Sequence, residues 1–408
     1  MILCGSFVYL MIYFVSLGTP ASTSVKVSAD ENSEPAPPLS VIICAHNEAA
    51  QLEKNLPLVL QQTYPDFEVI LVNDNSTDGT QTVLKQLQNT FHHLKVIEVK
   101  AGEKKFAGKK ELLAKAMRAA KHETIVVTDA DCYPASDKWL ARMSQYAASE
   151  VKVVLGYSPF QSDGGNQKSE IRNQNLEILN QNLEILNRLI RFEATQTAWQ
   201  YFANAIKGKA YMGVGRNMRF RKTDYLRWFE TSENKTAGGD DDLFVNWLVN
   251  EGARDEGQGK NENEREKRKE KIDFDGKSIA VCLDEDAFVF TEPKATYASW
   301  LKQKTRHTQA SYHYTWGDKI KLFGFALAQF CLYAAGIALL LFSYDSVLLV
   351  LSIITSFSLM QMLASRNIYN TLRQQDLLLW IPLLQPLYVF SISLIFLLSL
   401  IKRSDTWN

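Results

Sequence analysis

Residues 40–48 read SVIICAHNE and residues 69–80 read VILVNDNSTDGT, two apolar runs of strand length that each break abruptly into polar turn residues. A strand buried on both faces has this composition, and helices between such strands complete the pattern of a parallel sheet. Working outward, the sequence predicts strands at Ser40–Cys44, Phe67–Val72, Leu94–Val99 and Thr124–Val127. Helices are predicted at Ala49–Gln62, Gly79–Gln88 and Lys110–Ala120. The fold class is therefore α/β, a mostly parallel sheet flanked by helices. Ligands of such sheets bind beyond the carboxyl ends of the strands. His46, Asn47, Glu48, Asp74, Asp78, Asp129 and Asp131 all fall at or just after those ends.

The chain has 408 residues with 45 Lys and Arg against 45 Asp and Glu, so its formal net charge is zero. No basic patch long enough for a nucleic acid is present, and a nucleic-acid partner is not expected. Charge is instead segregated: none occurs in 1–25, 322–344, 346–365 or 377–401. The last three stretches have the length of membrane-spanning helices. The expected division is an N-terminal anchor helix at 1–20, a linker at 21–38, a sheet domain at 39–318, about three hydrophobic helices within 319–401, and a tail at 402–408. Residues 251–271 carry seven acids and seven bases and read as an exposed charged insertion within the sheet domain. Lys302, Lys304, Arg306, Lys319 and Lys321 precede the second hydrophobic segment and place that end, with the sheet domain, in the cytoplasm. Lys402 and Arg403 break the alternation. Together with Pro382 and Pro386 they mark the third tail segment as interfacial or re-entrant.

Five scattered cysteines, Cys4, Cys44, Cys132, Cys282 and Cys331, show no metal or redox spacing and are expected to be reduced. The heptad NQNLEIL occurs twice, at 173–179 and 180–186, and its leucines make one apolar stripe on a helix that packs on its own domain.

Asp129-Ala-Asp131 follows the apolar strand TIVV, where two carboxylates can converge on one divalent ion; the same tripeptide also serves as a turn or a helix cap. Asp240, Asp241 and Asp242 follow Gly238 and Gly239 and open a helix, either as caps or with one carboxylate presented as a general base. Gly213 and Gly215 with Arg216 and Asn217 form a tight turn whose polar side chains suit phosphate or acceptor oxygens. Gln303 and Arg306 share a helix face, with His307 beside them. Neither GxGxxG nor GxxxxGK[ST] occurs at the early strand-to-helix turns, which removes support for a dinucleotide oxidoreductase or a P-loop ATPase.

In combination, SVIICAHNE, VILVNDNSTDGT, GKKELLAKA, VVTDAD, YMGVGRN, GGDDDLF and QKTRH, in that order from Ser40 to His307, resemble the membrane-bound family 2 glycosyltransferases. The resemblance implies a GT-A fold and inverting transfer from a nucleotide sugar. On that basis His46, Asn47, Glu48, Asp74, Lys109 and Asp129 bind the donor, and Asp131, with Asp129, holds Mg2+ or Mn2+. Asp241 is the base, Asp240 its acidic neighbour and Asp242 the reserve. Arg216, Asn217, Gln303, Arg306 and His307 serve the acceptor or the diphosphate. His307 stands where the family's Gln-x-x-Arg-Trp element has tryptophan, which removes a stacking surface.

The implied protein is an integral cell-membrane enzyme with a cytoplasmic catalytic domain. It would transfer a sugar, UDP-linked by family analogy, to a lipid or lipid-linked hydroxyl. A processive β-linked polysaccharide synthase, with a growing glycan as acceptor, is the first alternative. A second copy of the chain or an export partner would then complete its channel. A catalytically inactive membrane scaffold is the second alternative.

Overall fold

The computed structural model describes residues 2–18, 36–104, 108–146, 151–162, 174–231, 239–255, 278–342, 345 and 347–401. Most of the linker 21–38, most of the charged insertion 251–271, Gly238, and the tail with Lys402 and Arg403 lie outside the described residues. The chain divides into two compact units, one of Ser22–Pro159, Asn204–Glu292 and Asp405–Asn408, the other of Met1–Ala21, Phe160–Ala203 and Pro293–Ser404. The sequence reading had placed 160–203 and 293–318 with the sheet; they group instead with the apolar helices. Periodicity reports that a segment is helical but not which body its apolar face covers.

The first unit is built on seven strands: β1 (Leu39–Ala45), β2 (Phe67–Asp74), β3 (Leu94–Val99), β4 (Thr124–Asp129), β6 (Val153–Gly156), β7 (Met218–Arg221) and β8 (Ile279–Cys282). Their order is β3-β2-β1-β4-β7-β6-β8; only β7 runs antiparallel to its neighbours. Two short strands, β5 (Cys132–Pro134) and β9 (Val289–Thr291), make a separate antiparallel pair. Every residue of β1 is buried, as its unbroken apolar run required. Burying a Val, Leu or Ile stabilises by roughly 1.5–3 kcal/mol. One side of the sheet joins a core that includes Val41, Leu71, Val126, Trp139 and Val154.

Helices α2 (Ala49–Leu60), α3 (Thr80–Thr90) and α4 (Lys110–Ala119) connect the first four strands within two residues of the expected bounds. Strands β2 and β4 run two residues past the apolar pattern. Their ladders continue through Asp74, opposite Val99, and Asp129, opposite Cys44. After β1 the chain builds β2 and β3 on one side and then crosses to β4 on the other. The crevice at the carboxyl ends of β1 and β4 is therefore the topological switch point. Because β7 is antiparallel to β4, with Met218 opposite Val127, the turn preceding β7 reaches that same edge.

The second unit contains α1 (Ile2–Leu17), most of α6 (Gln174–Ile206; α5 spans Trp139–Ser144), and α9 (Tyr297–Ser311), α10 (Trp316–Phe342), α11 (Val347–Thr371) and α12 (Ile381–Ile401). Between β7 and β8 run α7 (Lys222–Thr231) and α8 (Asp240–Asp255), both in the sheet unit. Segments Trp316–Phe342, Val347–Thr371 and Gln375–Ile401 are long and apolar enough to cross a membrane. The third is a continuous helix from Ile381 onward rather than a broken one. Pro382 stands in its first turn, where a missing N–H leaves no helical bond unmade.

Helix α1 lies antiparallel to α10. Gly336 faces Leu3, Gly324 faces the Tyr9 hydroxyl, and Phe325 stacks on Tyr13 at 4.2 Å between centroids. Phe14 is fully buried against Trp199, Phe325 and Phe357. In α6, burial begins at Asn187; Leu183 remains exposed, so the described part of the repeated heptads does not form the packed stripe expected of it. Side chains of 174–182 lie outside the described residues. Arg191 instead anchors α6, donating to both carboxylate oxygens of Asp376 and to Gln374.

Candidate active site

The loop after β1 is clasped to the loop after β2. Asn47 adopts a left-handed backbone, φ 56°, and its side-chain oxygen accepts the Thr77 N–H at 2.8 Å while its own N–H donates to the Ser76 hydroxyl at 2.9 Å. His46 Nδ1 meets the Asp74 carbonyl, which can only accept, so Nδ1 donates there, and Nε2 meets the Asn47 amide nitrogen at 3.2 Å. The Glu48 N–H donates to Thr80 Oγ1 at 3.0 Å. Asp78 is occupied in starting α2 and α3, accepting the N–H groups of Ala49 at 3.1 Å and Thr80 at 3.0 Å. The Asp74 carboxylate is buried and paired with Lys104, a partner that sequence spacing did not suggest.

At the end of β4 the Asp129 carboxylate pairs with Lys109. Burial works against the Lys109 charge, but the Asp129 carboxylate outweighs it and holds the ammonium firmly protonated. Asp131 follows on the turn into β5. Ligand atoms of Asp129, Asp131 and Cys132 lie within 4.8 Å of one another. Two hard carboxylate oxygens suit Mg2+ or Mn2+. Asp131 also fits a cation on charge grounds: Asp129 has an ammonium partner, whereas the hydrogen bond to Asp131 among the described residues comes from the Cys132 thiol, at 3.2 Å. Cys132, expected to be merely structural, thus stands at the cluster. Its thiol is pushed well above its ordinary pKa, first by burial and then by the Asp131 and Asp129 charges, with Arg216 opposing.

Helix α8 brings the third motif. Asp241 accepts the Gly215 N–H on Oδ2 at 2.7 Å and the Asp242 N–H on Oδ1 at 3.0 Å. Burial raises the Asp241 pKa; those two N–H groups and Lys109 oppose the rise, and Asp129 adds to it. Asp240 is pushed up to about 6, first by burial and then by the Asp241 charge, against the pull of Lys109. Lys109 and Asp129 therefore act on both helix aspartates, and the strand-end and helix-start acids share one site. Lys110, also missed in the sequence, lies 4.2 Å from the Trp228 ring centre, its pKa lowered to about 8 by burial, with Asp240 opposing.

Asn217 corrects the expectation of a ligand contact. It is fully buried, donates to the carbonyls of Tyr157 and Ala287 at 2.8 Å each, and accepts the Trp139 indole N–H at 3.0 Å. Both amide hydrogens are used, so its chemistry is spent on the fold. Gln303, Arg306 and His307 lie on α9, in the unit of apolar helices. Gln303 Oε1 is shut from solvent with no hydrogen-bond partner among the described residues, and His307 is exposed.

Residues 40–208 match the family model described as glycosyl transferase family 2. That stretch is a family 2 glycosyltransferase domain. This match includes His46, Asp74, Lys109, Asp129 and Asp131 but ends before Gly215 and Asp241, whose place in the site rests on the geometry above. Among curated relatives, glycosyltransferase AglE of Haloferax volcanii is 29% identical over 137 residues, 33% of this chain and 43% of its own length. A beta-monoglucosyldiacylglycerol synthase of Synechocystis is 32% identical over 133 residues, 32% of this chain and 27% of its own length. The chain thus aligns with less than half the length of either relative. A mannosyltransferase from Pyrobaculum calidifontis, solved with GDP-Man and Mn2+, superposes with a TM-score of 0.52 at 17% identity, covering 95% of each chain. That likeness identifies the fold as GT-A-like.

Proposed function

We propose that this chain is an inverting glycosyltransferase that moves a sugar from a UDP-linked donor to a hydroxyl of a lipid or lipid-linked acceptor at the cytoplasmic face of a membrane. The observation that carries the reading is the Lys109–Asp129 pair at the end of β4, on the edge reached by the turn before β7, whose Gly215 N–H holds Asp241. The lipid acceptor is supported by the three apolar helices and by the name of the Synechocystis relative.

In this reading the loops bearing His46, Asn47, Glu48 and Asp74 cradle the nucleotide, with Asp74 exchanging its Lys104 contact for the base. Asp131, with Asp129, would hold Mg2+ or Mn2+, which when bound neutralises the diphosphate and polarises its bond to the sugar. Lys109 and Arg216 add fixed positive charge where the leaving group gathers negative charge. Asp241, oriented by two backbone N–H groups, takes the proton of the acceptor hydroxyl. The acceptor oxygen bonds to the anomeric carbon as the bond from that carbon to the diphosphate oxygen breaks, so configuration inverts. Acceptor contacts by Gln303, Arg306 and His307 are part of the proposal.

The experiment is transfer by the purified protein in lipid nanodiscs, with labelled nucleotide sugars, Mn2+ or Mg2+, and mass analysis of the lipid extract. A single sugar added to lipid is expected. A ladder of products would replace this reading with the processive one, and absence of transfer from every nucleotide sugar would leave the scaffold.

A further inference from the structure

Two aspartates separated by one residue differ in how they are held. Asp129 ends β4, inside the ladder and against an ammonium. Asp131 lies on the turn, partly exposed, and the hydrogen bond that orients it comes from the residue that begins β5. That residue, Cys132, is 2% exposed, packs with Ala130, Trp139 and Val289 in the core, and is paired in register with Thr291. Its sulfur is immobilised from behind while its S–H faces Asp131 Oδ1 at 3.2 Å. One S–H bond occupies one lone pair of Oδ1 and leaves Oδ2 and the remaining lone pair open.

We propose that the Cys132 thiol is a positioning residue for Asp131, fixing its carboxylate for the divalent cation. The inference rests on the metal-binding part of the function proposed above. Groups that orient a metal-binding carboxylate typically contribute 10- to 100-fold in metal affinity. A weak donor suffices here because the sulfur itself is held by the core, so little freedom is lost when the contact forms.

A structural role and a positioning role predict opposite rankings of substitutions. In an apolar core, Val is tolerated better than Thr and Ala better than Ser, because a hydroxyl must be desolvated. As a donor to Asp131, the order reverses: Ser and Thr can replace the thiol, Ala and Val cannot.

The test titrates Mn2+ into the full-length protein in detergent, alone and with UDP, reading bound ion from loss of the free-ion electron paramagnetic resonance signal. Thermal stability is followed in parallel. Expected are wild-type-like Mn2+ affinity in C132S and C132T and affinity about 10- to 100-fold weaker in C132A and C132V. Two donor/non-donor pairs keep the comparison usable if one variant fails to fold. Equal affinity within each pair, or affinity that follows stability, overturns the role of the thiol while leaving sugar transfer intact. Absence of wild-type Mn2+ binding that Asp131→Asn removes overturns both the inference and the metal site.

Discussion

The Gly215 N–H donates to Asp241 Oδ2 at 2.7 Å, and a Cβ on Gly215 would stand 3.2 Å from that same oxygen. Asp241 cannot yield readily, because its other oxygen accepts the Asp242 N–H. Gly215 has no positive φ, so Gly215→Ala introduces a side-chain contact without backbone strain. It is expected to lower kcat about tenfold or more, since small misplacements of a reacting group are costly, and to leave the donor KM near its original value. Asp241→Asn should lose about 10²- to 10⁴-fold in kcat, the usual contribution of general base catalysis. Initial rates at saturating donor decide the point: full activity in Asp241→Asn removes it from the reaction.

The Asp240–Asp241 pair also sets a pH dependence. Both carboxyls are raised by burial, Asp240 to about 6 with the Asp241 charge as second cause. A base must be ionised, so kcat/KM is expected to fall at acid pH as Asp241, held above the ordinary carboxylate value by burial, takes up its proton. Stability runs the other way. A carboxyl raised in the folded state binds more protons there than in the unfolded chain, so its burden appears as pH rises from about 4 to about 6 and persists above. Asp240→Asn should therefore raise Tm at pH 7.5 and have little effect near pH 3.5. Melting curves at the two values, beside a pH–rate profile, test both signs.

Asn217 makes a contrasting prediction. Its three side-chain bonds hold the β6 end, the segment before β9 and Trp139 together, and a Cβ on Gly156 would meet its amide at 2.4 Å. Asn217→Ala takes the amide from the Ala287 carbonyl and from the Trp139 indole N–H, each loss costing about 1–3 kcal/mol, while the Tyr157 carbonyl keeps the Val289 N–H. Denaturation should show a loss of at least about 2 kcal/mol, what two such groups amount to at the lower figure. A variant of unchanged stability but raised KM would restore Asn217 to the ligand side.

The difference between Asn217 and Arg216 explains what could be read from the sequence. Motif spacing along one strand end or one helix start singled out Asp129, Asp131 and Asp241 as candidates, because local backbone geometry brings such neighbours together, and the family resemblance added Lys109, which pairs with Asp129. Strand identity was equally legible, since the apolar runs of β1 and β2 are buried over nearly their whole length. Pairings across the fold were not. Lys104 on Asp74, the inward turn of Asn217 and the thiol contact to Asp131 depend on packing between elements distant in sequence or on which way one side chain faces. Helix α9 shows the same limit: its amphipathic spacing was visible, but its Tyr297 and Tyr312 hydroxyls bond to Ser391 and Ser399 on α12, grouping it with the apolar helices.

Topology provides the last prediction. The antiparallel packing of α1 on α10 sets the Gly18 end of α1 beside the beginning of α10, where Phe325 meets Tyr13 and Phe14. Lys319 and Lys321 stand at that end of α10, and basic residues flanking a span favour the cytoplasm. Asp345, between α10 and α11, then lies outside, and Arg373, after α11, lies inside. A membrane-impermeant maleimide added to intact cells should label Asp345→Cys in a background lacking the native cysteines, and should label Lys319→Cys and Arg373→Cys only after permeabilisation. The reverse pattern would put the sheet unit on the outer face, away from cytoplasmic nucleotide sugars, and the proposed donor would have to be abandoned.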